Sequence, residues 1–100
     1  MQVEFRTKKL QKQYQQSKKA IRAYGEKAAG RYVLRINIIK VAKDIEELKR
    51  MPVLHCHQLK GDRQGQWAIT LIGRYRLVFT LQGEGLEIVR IEEVSKHYGD

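Results

Sequence analysis

The sequence predicts an α+β domain of order βααβββ, with an N-terminal strand and two to three helices packed on one face of a small, mainly antiparallel sheet. Two observations carry this expectation. Apolar residues recur with a period near 3.6 between Leu10 and Val41, and with a period of 2 from Trp67 onward. A third observation limits the domain count. The 100 residues contain no internal repeat and no low-complexity linker, so residues 1–100 are expected to form one domain with one modest core.

The elements follow in order. Val3 and Phe5 alternate with Gln2 and Glu4, which suits a short strand. Leu10, Tyr14, Ser17, Ile21 and Tyr24 then mark one face of a single helix, with Lys and Gln over the rest. Gly25 is its expected stop. A second helix starts at Glu26 and runs through Ala29, Tyr32, Val33, Ile36 and Ile39, with Leu34, Ile38 and Val41 widening the apolar stripe. Gly30 inside it costs up to about 1 kcal/mol relative to Ala. Close packing against the first helix would account for it. Asp44 has the character of an N-cap, and residues 45–51 form a short third helical segment that ends before Pro52.

The period then changes. Trp67, Ile69 and Leu71 alternate with Ala68, Thr70 and Ile72; Tyr75, Leu77, Phe79 and Leu81 alternate with Arg74, Arg76, Val78 and Thr80. Gly73 between the runs fits a tight hairpin, and Gln82-Gly83-Glu84-Gly85 fits a second turn. Residues 86–94 make the last strand, with Val89 and Ile91 toward one side and Ile88 toward the other.

Charge points to the class of partner. Twenty Lys and Arg against eleven Asp and Glu give a net charge of +9. Residues 1–50 hold 14 of the basic residues against five acids, and residues 51–100 hold six of each, so the whole excess lies in the first half. Such a surface is either a solvated helix face or one that meets a polyanion or an acidic partner. One cysteine, Cys56, permits no internal disulfide and no zinc site by itself, so a reducing cytoplasm is expected. No apolar run reaches the length of a membrane span, and the N-terminus lacks the apolar core of a signal peptide.

Few residues could carry chemistry. Arg76 lies in the middle of an otherwise apolar strand, on the face shared with Val78 and Thr80. Burying an unpaired guanidinium is costly, so it either pairs with Glu92 or Glu93 on the next strand or binds a phosphate from the open face of the sheet. Lys60-Gly61-Asp62-Arg63-Gln64-Gly65 is a basic, Gly-rich connector, without the spacing of a P-loop. His55 and His57 alternate in an extended stretch and are expected on opposite faces, and with Cys56 they do not have the spacing of a closed metal site. His97 follows the last strand. Metal-free RNA cleavage needs a base at the 2′-hydroxyl, an acid at the 5′-oxygen and cations around the phosphorane, all within reach of histidine and arginine. No metal and no cofactor are expected.

The segment His57-Gln58-Leu59-Lys60-Gly61-Asp62-Arg63-Gln64-Gly65-Gln66-Trp67-Ala68-Ile69, followed by Tyr75-Arg76-Leu77-Val78-Phe79, resembles the HigB branch of the RelE/ParE toxin superfamily. The likeness extends more loosely to the first strand, the helix pair with Ala23-Tyr24-Gly25 and the last strand. It implies a RelE-like fold and a bacterial, cytoplasmic type II toxin, an endoribonuclease that cuts translated mRNA in the ribosomal A site. It also implies a helix-turn-helix antitoxin of the HigA kind, with operator DNA bound only through the toxin–antitoxin complex. By the same resemblance His57, Arg76 and His97 are catalytic. Lys60 and Arg63 match the family's basic connector, and Arg74, Lys96 and Tyr98 join them as candidate RNA contacts. The chain departs from the family where Ser95-Lys96 stands in place of Asp-Tyr before the final histidine, with Tyr98 just after it. The alternative is a ParE-like toxin that binds a protein such as DNA gyrase.

Overall fold

A computed structural model describes residues 1–96. Its strands are β1 (Gln2–Phe5), β2 (His57–Gln58), β3 (Gln66–Ile72), β4 (Tyr75–Gln82) and β5 (Ile88–Lys96); its helices are α1 (Lys8–Gln15), α2 (Ser17–Tyr24), α3 (Glu26–Val41) and α4 (Ile45–Lys49). The strands form one sheet in the order β1-β5-β4-β3-β2, parallel between β1 and β5 and antiparallel elsewhere. The expected α+β order holds, with β2 added as a two-residue edge strand where only extended chain was foreseen.

The first helical stretch is two helices, not one. Thr7 caps α1, its Oγ1 accepting from the Leu10 amide at 3.1 Å, and the chain turns extended at Gln16 (φ −127°, ψ 100°) before α2 begins. α1 packs on β1 as well as on α2, while α2 lies along α3, two directions that one straight rod cannot follow. The break turns α2, so that Ala20 is buried and Ile21, expected inward, is exposed. Gly25 ends α2 at φ 84°, the expected glycine stop.

In α3, Ala28, Ala29, Tyr32, Ile36 and Ile39 face inward, but Leu34 and Val41 lie in solvent, so the stripe is narrower than its pattern. Gly30 is also exposed, and a Cβ there would meet nothing; helix packing does not account for it. Asp44 caps α4 through Oδ1 and the Glu47 amide at 3.1 Å. The last strand starts at Ile88, because Leu86 takes φ 55° and belongs to the turn.

The core lies between α3 and one face of the sheet, where Tyr32, Ile36, Ile39, Ile69, Leu71, Leu77, Phe79, Val89 and Ile91 are buried. The Tyr32 hydroxyl donates to the Leu10 carbonyl at 2.7 Å and ties α3 to α1. Among the described residues no helix is long and apolar enough to cross a membrane.

Two register shifts shape the sheet. One lies between Thr70 and Ile72, ahead of the Gly73-Arg74 turn. The other places Phe79 opposite Ile91 but Val78 opposite Glu93, leaving Glu92 as the extra residue of a bulge. Without it Glu93 would follow Val89 and Ile91 into the core. With it Val94 faces the core and Glu93 and Ser95 emerge on the other side.

Candidate active site

The face of the sheet away from α3 carries several of the candidate side chains. Strand alternation, with the pairs His57↔Ala68, Ala68↔Val78, Val78↔Glu93, Thr70↔Arg76 and Arg76↔Ser95, brings His57, Arg76, Glu93 and Ser95 to that one face. Two strand spacings, roughly 10 Å, separate the backbones of β2 and β4. That gap is of the size a nucleotide backbone can span. The connector after β2 folds back across this face and closes a cavity of about 50 Å³, lined by Leu59, Arg63, Ala68, Arg76, Val78 and Ser95.

Arg63 and Arg76 thus share one small cavity. Arg63 donates from Nη2 to Glu93 Oε2 at 2.7 Å and from Nε to Gln66 Oε1 at 2.9 Å. Glu92, the other candidate partner considered for Arg76, accepts from Thr80 Oγ1 and lies near Arg6 and Arg90. Arg76 is half-buried at the cavity wall, and Lys60 is exposed at the start of the turn Gly61–Arg63.

His57 and His55 do not lie on opposite faces as alternation predicts. His55 ends the 3-10 turn Pro52–Leu54 in a left-handed conformation (φ 49°, ψ 48°), which breaks the period of 2. Its ring centroid lies 5.1 Å from that of His57, and His57 Nδ1 is 2.8 Å from the His55 carbonyl oxygen. Burial pushes the thiol of Cys56, between them, up to about 11 from its ordinary 9.0, with Lys49 opposing weakly and Glu46 adding to it. It is therefore a protonated thiol at neutral pH and no nucleophile. Among the described residues no three His, Cys, Asp or Glu side chains are grouped to hold a metal.

Arg74 and Lys96 gather elsewhere, at the end of the sheet beside Tyr24 and Gly25. Lys96 pairs with Tyr75, not with Arg76, so its side chain leaves the opposite face, with Nζ 5.5 Å from the Tyr75 ring centroid. His97 and Tyr98 lie outside the described residues.

Glu93, foreseen as a partner for Arg76, accepts from Arg63 and is aimed by a bulge that no local motif announces. Sequence reasoning missed a buried arginine. Arg35 is buried in α3 with Nε donating to the Thr70 carbonyl at 3.1 Å. It falls on the stripe Ala28, Tyr32, Ile39, so a helical wheel would have flagged it. Burial lowers its pKa, with Arg31 adding to the effect. A groove between α1 and α2 is lined by Lys8, Lys9, Lys12, Lys19 and Arg22, none with an acidic partner among the described residues.

Residues 3–92 match the family described as RelE-like toxin of type II toxin–antitoxin system HigB. A stretch of 59 residues is 36% identical to an endoribonuclease HigB of Proteus vulgaris, covering 59% of this chain and 63% of that protein's length. Among solved structures, a YoeB/ParE toxin from Agrobacterium tumefaciens superposes with a TM-score of 0.59 at 23% identity, over 98% of this chain and all of the other. A YafQ mutant from E. coli gives 0.60 at 16% identity, over 94% and 90%. The YoeB–YefM complex from Staphylococcus aureus gives 0.55 at 18% identity, over 98% of each. At these identities the superpositions establish a shared fold.

Proposed function

The chain belongs to the RelE-like toxins of the HigB type II toxin–antitoxin family, and from that premise we propose that it is an endoribonuclease that cuts mRNA on the translating ribosome. The observation that carries the reading is the convergence of His57, Arg63 and Arg76 on the open face of the sheet, with Lys60 on the connector above it. Nothing in this set needs a metal or cofactor. His57 Nε2 takes the proton of the 2′-hydroxyl, and the 2′-oxygen attacks phosphorus. Arg76, with Lys60 and Arg63, offsets the charge of the phosphorane. The 5′-oxygen leaves with a proton from an acid, for which His97 is the proposed source. The products are a 2′,3′-cyclic phosphate and a 5′-hydroxyl.

Arg74 and Lys96 hold flanking phosphates at the sheet end, and Tyr98 is a further proposed RNA contact. The five cations of the α1–α2 groove add sequence-independent attraction to ribosomal RNA. Residues 1–100 act as one domain in the bacterial cytoplasm. An antitoxin with a HigA-like helix-turn-helix neutralises it and brings it to operator DNA. The HigB match and the presence of His57 weigh against the gyrase-binding alternative.

Induced expression tests this directly. The protein is expected to arrest growth and translation, and Arg76→Ala is expected to abolish arrest while still co-purifying with the antitoxin. Arrest that survives Arg76→Ala and is accompanied by gyrase inhibition would overturn the reading.

A further inference from the structure

We propose that His55 is the positioning residue of this site: its left-handed backbone and its ring together hold His57 with Nε2 as the proton-transferring nitrogen. The inference rests on the endoribonuclease reading only for the reaction that Nε2 serves.

The backbone supplies the first observation. Among the described residues only His55 and Leu86 combine a side chain with a positive φ. A residue bearing a Cβ occupies that region at a cost in energy, and such positions concentrate where the surrounding structure uses them. Leu86 sits in an exposed turn, whereas His55 sits two residues before the candidate base. An extended His55 would send its carbonyl out along the strand edge. The left-handed conformation swings it to 2.8 Å from His57 Nδ1.

Chemistry supplies the second. A carbonyl oxygen only accepts, so Nδ1 carries the hydrogen, and the lone pair of the neutral ring falls on Nε2. Histidine free in water favours the other tautomer. The His55 carbonyl reverses that preference and leaves Nε2 available to a 2′-hydroxyl. This is the orienting bond that general bases receive from a third group.

The third is the ring. The His55 imidazole lies 5.1 Å from that of His57, tilted by 54°, and limits rotation about the His57 ring bond. Among the described residues no other group hydrogen-bonds to either ring. His57 pairs with Ala68 on β3, which carries no charge. Glu46 and Lys49 of α4 act on Cys56, between the two histidines, and Arg63 of the connector is bonded to Gln66 and Glu93; none of them bonds to either histidine.

The test is imidazole nitrogen NMR on the full chain, with cleavage kinetics beside it, for the wild type, His55→Gly and His55→Val. Glycine keeps the left-handed turn and the carbonyl but removes the ring; valine opposes the turn. Neutral His57 is expected as the Nδ1–H tautomer in wild type and in the Gly variant, with kcat in the latter lower by about threefold to tenfold. The Val variant is expected to move to Nε2–H, with kcat falling about a hundredfold and KM within about twofold. An Nε2–H tautomer in wild type, or a Val variant with a native amide spectrum and unchanged tautomer and kcat, would overturn the proposal. Should Val not fold, the wild-type tautomer and the Gly variant still decide. Wild type that never cleaves RNA removes the endoribonuclease reading, while the tautomer result still settles the positioning of His57.

Discussion

On the helix side of the sheet, Trp67, Ile69, Leu71, Leu77 and Phe79 close against α3; on the other side the same two strands carry Thr70, Arg76 and Thr80. Both sides exclude water at the centre, for Ala68 and Val78 on the open side are as buried as the core. What covers them differs. The core is covered by a helix and needs nothing but shape. The open face is covered by a charged connector, and the small Ala68 and Val78 leave a hollow with Arg63 and Arg76 as its walls. A sheet two residues deep in alternation can thus stabilise the fold with one face and present cations with the other.

Substitutions on the two faces should separate cleanly. The largest effect is expected from His57→Ala, which should lower the cleavage rate by about 10²–10⁴-fold with little change in melting temperature. Phe79→Ala, two strands away on the other face, should do the reverse. It should cost about 3–5 kcal/mol in denaturant unfolding while activity per folded molecule stays near wild type. Arg35→Ala tests the link between the faces, since it removes a buried donor to the Thr70 carbonyl opposite Arg76. It should cost about 1–3 kcal/mol, read as a lower urea midpoint. Cys56 should react with iodoacetamide at pH 8 about a hundredfold more slowly than an ordinary thiol, and faster as pH rises toward 11, because only the thiolate attacks. The smallest effect is expected from Gly30→Ala on the exposed side of α3. It should stabilise by about 0.4–1 kcal/mol in the same unfolding measurement.

Much of this division was legible from periodicity. The change from 3.6 to 2 located the helices and three strands, and Arg76 stood out because it interrupts an apolar run. The unread parts are those where backbone geometry departs from a regular period. Gln16 splits a helix whose apolar spacing reads as continuous, because β1 and α3 pull its two halves apart. The bulge at Glu92 turns Glu93 outward toward Arg63, against simple alternation. His55 takes a conformation that favours glycine, so a residue expected across the strand lies against His57. Patterning finds faces, whereas these three depend on single residues leaving the regular φ and ψ. The expectation that a basic connector and a strand arginine belong to one site came from the resemblance; in the structure Arg63 of the connector and Arg76 of β4 line one cavity.

The central claim is that the open face cuts RNA on the ribosome, and primer extension on an mRNA incubated with the purified protein, with and without programmed ribosomes, tests it most directly. Cuts should appear within the occupied A-site codon only when ribosomes are present, and should disappear with Arg76→Ala but persist with Gly30→Ala. Absence of cuts under both conditions, or cuts of equal strength with Arg76→Ala, would contradict it.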